Sequence, residues 1–419
     1  MPTKRPRIGL ALAGGGPLGA IYEIGALCAL AEALPGVDFT ALDGYVGVSA
    51  GSFIAAGLAN GMSPRQLCTS FVENDGPRSD LIRPGLFFRP ALDEYTARLA
   101  AVPRLLLQAA WGVAVQRRTL LAVAEGLGRA LPTGLFSNAA LQRQLTQVFS
   151  APGRSNDFRQ LKRRLVLVAT DLDSGEAAPF GLPGWDHVPI SQAVAASAAL
   201  PGLFPPEPIN GRWYVDGALK KTLHARVLLD LGLDLVLCLN PLVPFNAGAG
   251  EALPHRVLGA RARIPRLVDG GLPVVLSQTF RSLIHSRLEL GIKGYEASHP
   301  GTHILLFEPD HRDPEMFLAN TFGYSQRRLL AEHAYQHTRA DLRSRRSALR
   351  TALAPQGVAL DESVLDDASR QLLAGRPRAR GLAAPRAGQA LQRLDEVLND
   401  LEQALALRGV GPRAEVSRT

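Results

Sequence analysis

The sequence predicts an α/β protein with a mostly parallel central sheet and a mainly helical C-terminal extension. Three observations carry that reading. Short strand-like runs alternate with helix-like segments from the start of the chain. Those runs are apolar throughout rather than alternating, as strands covered by helices on both faces must be. From Asp313 onward the pattern is helical.

Ile8 to Ala13 is a short apolar run ending in glycines, which reads as a buried parallel strand. Leu18 to Leu34 follows, with Leu18, Ile21, Ile24, Leu27, Leu30 and Leu34 at steps of three and four. It stops at Pro35-Gly36, as a helix does. Gly44 to Val48 is a second strand. Ser52 to Asn60 is a small-residue helix with Gly61 as its C-terminal cap. Further strands are expected at Arg164–Thr170, Leu233–Leu239 and His303–Phe307. A long insertion, roughly residues 62–160, separates the second strand from the third. Its middle, Val102 to Leu131, is apolar, contains Trp111 and is flanked by arginines. It reads as one or two helices, either packed on the sheet or forming a lid that touches lipid. Gln326 to Arg350 reads as a single arginine-rich helix with a solvated charged face. Gly375 to Arg386 reads as a linker. Beyond it, Leu391, Leu394, Leu398, Leu401 and Leu405 form one apolar stripe, suited to docking on the body or on another chain.

Composition narrows the function classes. The 419 residues are 46% hydrophobic and 20% charged, an ordinary globular balance. Cys28, Cys68 and Cys238 are too scattered for a disulfide framework, and no Cys/His spacing suggests a metal. The net charge of +8 suits anionic membrane surfaces or nucleic acid. No basic stretch is interleaved with aromatics, so no nucleic-acid partner is expected. Lys4, Arg5 and Arg7 before an apolar run superficially resemble a signal peptide, but the run dissolves at once into glycines. Leu105 to Val115 falls short of the roughly 20 residues of a spanning helix. A cytoplasmic location follows as the expectation, with peripheral membrane contact compatible with it.

Gly47-Val48-Ser49-Ala50-Gly51 is a GxSxG motif, placed between a strand and a helix. That context makes a nucleophile elbow, in which a sharp turn projects the serine hydroxyl. Gly14-Gly15-Gly16-Pro17-Leu18-Gly19 lies between the first strand and first helix, where backbone N–H groups face negative charge. The same residues spell GxGxxG through Gly14, Gly16 and Gly19, the dinucleotide fingerprint. A ribose-binding acid is then needed at the end of the second strand, and the serine elbow stands there instead. Asp216 follows a short apolar stretch and precedes Gly217. Taken alone it reads as a turn cap.

Together these elements resemble the patatin-like phospholipases, which combine a glycine-rich oxyanion loop, a GxSxG elbow and a DG[G/A] motif in that order. Here they are Gly14 to Gly19, Gly47 to Gly51 and Asp216 to Ala218. Ala169 to Glu176 and Ala196 to Pro206 are also similar to family segments. One departure stands out: Leu18 occupies the position where the family usually has a basic residue. The resemblance covers about residues 6–245. It implies a three-layer patatin-like fold. A catalytic domain is expected over 1–310, and the residue pattern adds a helical extension at 311–374, the 375–386 linker and a C-terminal amphipathic helix and tail at 387–419. The resemblance implies Ser49 as nucleophile, Asp216 as general base and the Gly14, Gly15 and Gly16 backbone as oxyanion hole, supported by Gly19, Gly47, Gly51 and Gly217. The implied substrate is a lipid ester; no metal-ligand set is visible in the sequence, so hydrolysis without cofactor, metal or calcium is expected. Two other readings are a Ser-His-Asp hydrolase using His303 or His311, and an inactive lipid-binding relative.

Overall fold

The computed structural model describes residues 5–75, 77, 89–114, 131–246, 266–318 and 326–373. Five parallel strands form its centre, in the order β8–β7–β1–β2–β3. They are β1 (Ile8–Leu12), β2 (Gly44–Val48), β3 (Arg164–Asp171), β7 (Leu235–Leu239) and β8 (His303–Phe307). β1, β2 and β7 are buried along their whole length, which is why they read as unbroken apolar runs.

Three short strands went unpredicted: β4 (Ala177–Phe180), β5 (Glu207–Ile209) and β6 (Arg212–Asp216). Each has three to five residues and little alternation, so periodicity has nothing to register. β4 and β6 both run antiparallel to β3, and both pair with Ala169 and Thr170. A residue has only two edges, so β4 and β6 lie on opposite sides of β3. β4 also shares Leu167 and Val168 with β2. β2 and β6 therefore lie end to end along the same edge of β3.

Helices cover both faces. On one face lie α1 (Gly16–Ala33) and α2 (Ala50–Ala59). α2 ends in a reciprocal cap: Gly61 N–H donates to Leu58 O at 2.9 Å and Met62 N–H to Gly57 O at 3.0 Å, with Gly61 at φ 83. α3 (Pro64–Leu67), α4 (Leu92–Ala114), α5 (Asn138–Phe149) and α6 (Ile190–Ser197) follow, then α7 (Arg226–Leu229) and α8 (Gly271–Ser298). α7 and α8 cover the other face, where Leu228 and Leu288 pack with Ala11, Val46, Val166 and Val236. α8 was not anticipated from the sequence. The chain continues through α9 (Pro314–Leu318), α10 (Arg327–Ser344), α11 (Arg346–Leu353) and α12 (Glu362–Asp366). Residues up to Leu372 form one compact unit.

Two expectations need correction. The single helix over Gln326–Arg350 is broken at Arg345, whose Nη2 reaches back to Leu306 O at 3.2 Å. Its charges are not all solvated either. Arg339 is 1% exposed and donates to the carbonyls of Val364 and Asp367 at 2.7 and 2.6 Å. The apolar insertion helix starts at Leu92, earlier than Val102, and carries Pro103 within it. Leu107 and Trp111 are 73% and 61% exposed, so this stretch does not bury them on the sheet. Its continuation past Ala114, the 375–386 linker and the leucine stripe beyond it lie outside the described residues.

Candidate active site

Ser49 stands between β2 and α2, at φ 53. A serine rarely adopts this left-handed conformation, and surrounding contacts must hold it there. The Ser49 N–H donates to Ser197 Oγ at 2.8 Å, and that hydroxyl donates to Val168 O at 2.6 Å. Ser197, the last residue of α6, thereby ties the elbow to β3. The Gly51 N–H donates to Ala13 O at 3.1 Å. A Cβ on Gly51 would lie 2.5 Å from that oxygen, so only glycine lets α2 start so close to β1. Gly47 stands at the same crowded crossing, with Ser52 Cα 2.6 Å from where its Cβ would be.

Asp216 ends β6. Its partner in β3 is Ala169, while Val48 pairs with Val168. Asp216 thus arrives one position beyond the end of β2, directly where Ser49 begins. Three contacts hold it. Its N–H donates to Ala199 O at 3.0 Å, its carbonyl accepts from Thr170 Oγ1 at 3.2 Å, and its Oδ1 accepts from Ala218 N–H at 2.9 Å. The Ser49 hydroxyl lies beside the same carboxyl and favours its ionised form. Gly217 then passes over β3 so closely that a Cβ would sit 2.1 Å from Val168 O.

Burial dominates the electrostatics. Asp216 is 2% exposed, and loss of water pushes its carboxyl up to about 6. The Ser49 hydroxyl and the Ala218 N–H, both favouring the ionised form, oppose that shift. The carboxyl is mostly ionised at neutral pH and sits near the operating range of a general base.

The glycine loop closes the site from the third side. A Cβ on Gly14 would lie 3.0 Å from Ser49 Cβ and 3.3 Å from Ala218 Cβ, so Gly14 faces both side-chain elements. Gly15 precedes α1, and Gly16, at φ 60, opens it. Gly19 N–H donates to Gly15 O at 3.0 Å, securing the first turn. The positive end of α1 therefore points to the region beside Ser49. Leu18 is 5% exposed and packs inward, where a basic side chain would meet a desolvation penalty.

The structure thus brings together Ser49, Asp216, Gly14 and the start of α1. His303 sits at the first position of β8, at the opposite end of the sheet from Ser49. His311 bonds the Pro244 carbonyl at 3.2 Å and packs on His285. Neither histidine contacts Asp216 or Ser49. Sequence reasoning missed Ser197. It lies in the Ala196–Pro206 segment, but no motif marks a serine whose role is to hold a backbone N–H.

A model of the patatin-like phospholipases matches residues 10–229. Among solved structures, VipD from Legionella pneumophila is 16% identical, with 85% of this chain and 75% of that chain covered and a TM-score of 0.31. ExoU of Pseudomonas aeruginosa, solved with SpcU, is 17% identical, with 87% and 70% covered and a TM-score of 0.28. Human GIVD cytosolic phospholipase A2, in complex with methyl gamma-linolenyl fluorophosphonate, is 13% identical, with 84% and 59% covered and a TM-score of 0.32.

Proposed function

The chain belongs to the patatin-like phospholipase family, and from that premise we propose that it hydrolyses phospholipid or lysophospholipid acyl esters through a Ser49–Asp216 dyad. The carrying observation is the register of β2 and β6 on β3, which delivers the buried Asp216 carboxyl beside the Ser49 hydroxyl.

In this reading Asp216 removes the hydroxyl proton as Ser49 Oγ attacks the ester carbonyl. Backbone N–H groups of the Gly14–Gly16 loop face the developing oxyanion, each donor being worth about 3 kcal/mol in such sites. Asp216 returns the proton to the leaving alcohol, leaving an acyl-Ser49 ester. Water, deprotonated by Asp216, attacks that ester, and Asp216 returns the proton to Ser49 Oγ as the acyl–oxygen bond breaks and the acid leaves. No histidine is needed in this reading, because Asp216 serves as the base. Among the described residues no helix is long and apolar enough to cross a membrane.

The test is a lipid-panel hydrolysis assay comparing the wild type with Ser49→Ala, read as released fatty acid. Loss of release in the variant on a lipid that the wild type cleaves supports the reading. Equal release from both, or labelling by a fluorophosphonate at another residue, defeats it.

A further inference from the structure

The α7–α8 face of the sheet carries a concave feature. The segment after the Asp216–Gly217 turn and the second half of α8 enclose a cavity of about 500 Å³. Lys220, Lys221, Arg226 and Arg287 line it, and no acidic residue does. Two of these cations have carboxylates outside the wall: Lys220 meets Glu176 at 2.6 Å and Arg226 meets Asp230 at 3.6 Å. Arg287 gives one bond to Leu219 O at 2.9 Å, and exposed Lys221 has no acidic partner among the described residues.

The inner wall includes His224, 7% exposed and held at φ 47. Its buried Nε2 has no hydrogen-bond partner among the described residues. A strained backbone, an unpaired buried nitrogen and four cations around one hollow make a site built for an anion.

The helix forming one wall indicates where that anion comes from. Leu288, Ile292 and Tyr295 of α8 pack on the sheet. On its outer side Leu272, Leu276, Phe280, Leu283 and Leu290 fall on one stripe, each between 44% and 70% exposed. Arg287 projects from the same side of the helix, and Leu290 lines the cavity. An exposed apolar stripe beside a basic cluster suits the plane of a bilayer rather than bulk water.

We propose that this cavity receives the phosphate of an anionic membrane lipid while the outer stripe of α8 lies in the bilayer surface. The inference is separate from the hydrolysis reading, and its test uses the Ser49→Ala protein so that vesicles stay intact. Sedimentation is measured with vesicles of phosphatidylcholine alone and of phosphatidylcholine with phosphatidylglycerol. Preferential binding to the second is expected. Lys221→Ala with Arg226→Ala should weaken that binding by about thirtyfold, each basic side chain contributing roughly fivefold at an anionic surface. Leu276→Ser with Leu283→Ser should abolish binding to both vesicles. Equal binding to the two vesicle types, or no effect of the basic pair, overturns the proposal. Calorimetric binding of inorganic phosphate by a protein that ignores vesicles would assign the cavity to a soluble anion and overturn the lipid source.

Discussion

Asp216 titrates near 3.8 when solvated and near 6 in the fold, because burial favours its neutral form. The unfolded chain therefore releases this proton first. Stability from this group is present below about pH 4 and falls as pH rises to about 6, by on the order of 3 kcal/mol. A base must be ionised, so catalysis follows the opposite slope: kcat/KM is expected to climb as pH rises through about 6. Asp216→Asn keeps an acceptor for Ala218 N–H. It should abolish hydrolysis while leaving the thermal midpoint at neutral pH equal to or above that of the wild type. A lower midpoint would show that the carboxylate stabilises the fold instead.

Ser197 acts on the nucleophile through one backbone bond. Ser197→Ala leaves Ser49 N–H and Val168 O without their buried partner, a loss of about 1–3 kcal/mol. As a positioning residue it should lower kcat by roughly ten- to hundredfold with KM little changed. Ser197→Thr retains the hydroxyl and should recover much of the rate. A matched change in KM, or no rescue, would argue for a merely structural role.

At the scale of elements, the site depends on a length mismatch. β3 has eight residues and β2 five, so the edge of β3 beyond Val168 is open for β6. β2 must stop there because the chain turns at Ser49, and β6 must stop at Asp216 because Gly217 crosses β3. A second close approach lies between α1 and α10. A Cβ on Gly25 would stand 2.4 Å from Ala331 O and 3.2 Å from Tyr335 N. Backbone cannot retreat as a side chain can, so Gly25→Ala should lower stability by about 1–3 kcal/mol, read as an earlier denaturant midpoint. An unchanged midpoint would mean that the two helices separate freely.

At the scale of the molecule, α1 is the hinge of the architecture. It carries the glycine loop at its start and is buried on nearly all sides, including Glu23, whose carboxyl burial pushes well above the usual range. The sheet covers one side of it and α10 the other; Tyr335 of α10 donates to Glu32 at 2.6 Å. Residues 327–372 thus complete the covering of the site-bearing layer. A chain ending at Gln326 would expose that apolar surface and is expected to aggregate. Recovery of such a truncated chain as a stable, active monomer would contradict this packing.

The sequence alone determined the five central strands, the two helices that flank the elbow and the glycine loop, because their signals are local. An apolar run, a 3.6-residue spacing or a glycine pair acts on its own few neighbours. It also placed Ser49 and Asp216 in recognisable motifs. Only the tertiary structure decided that β6 delivers Asp216 to the end of β2 where Ser49 stands, since that register arises from strand lengths and a shared edge far along the chain. The same holds for Ser197, for buried Arg339 and for the cationic cavity against α8. Each joins segments distant in sequence, and no local periodicity records which distant partner will desolvate a group or pair with it.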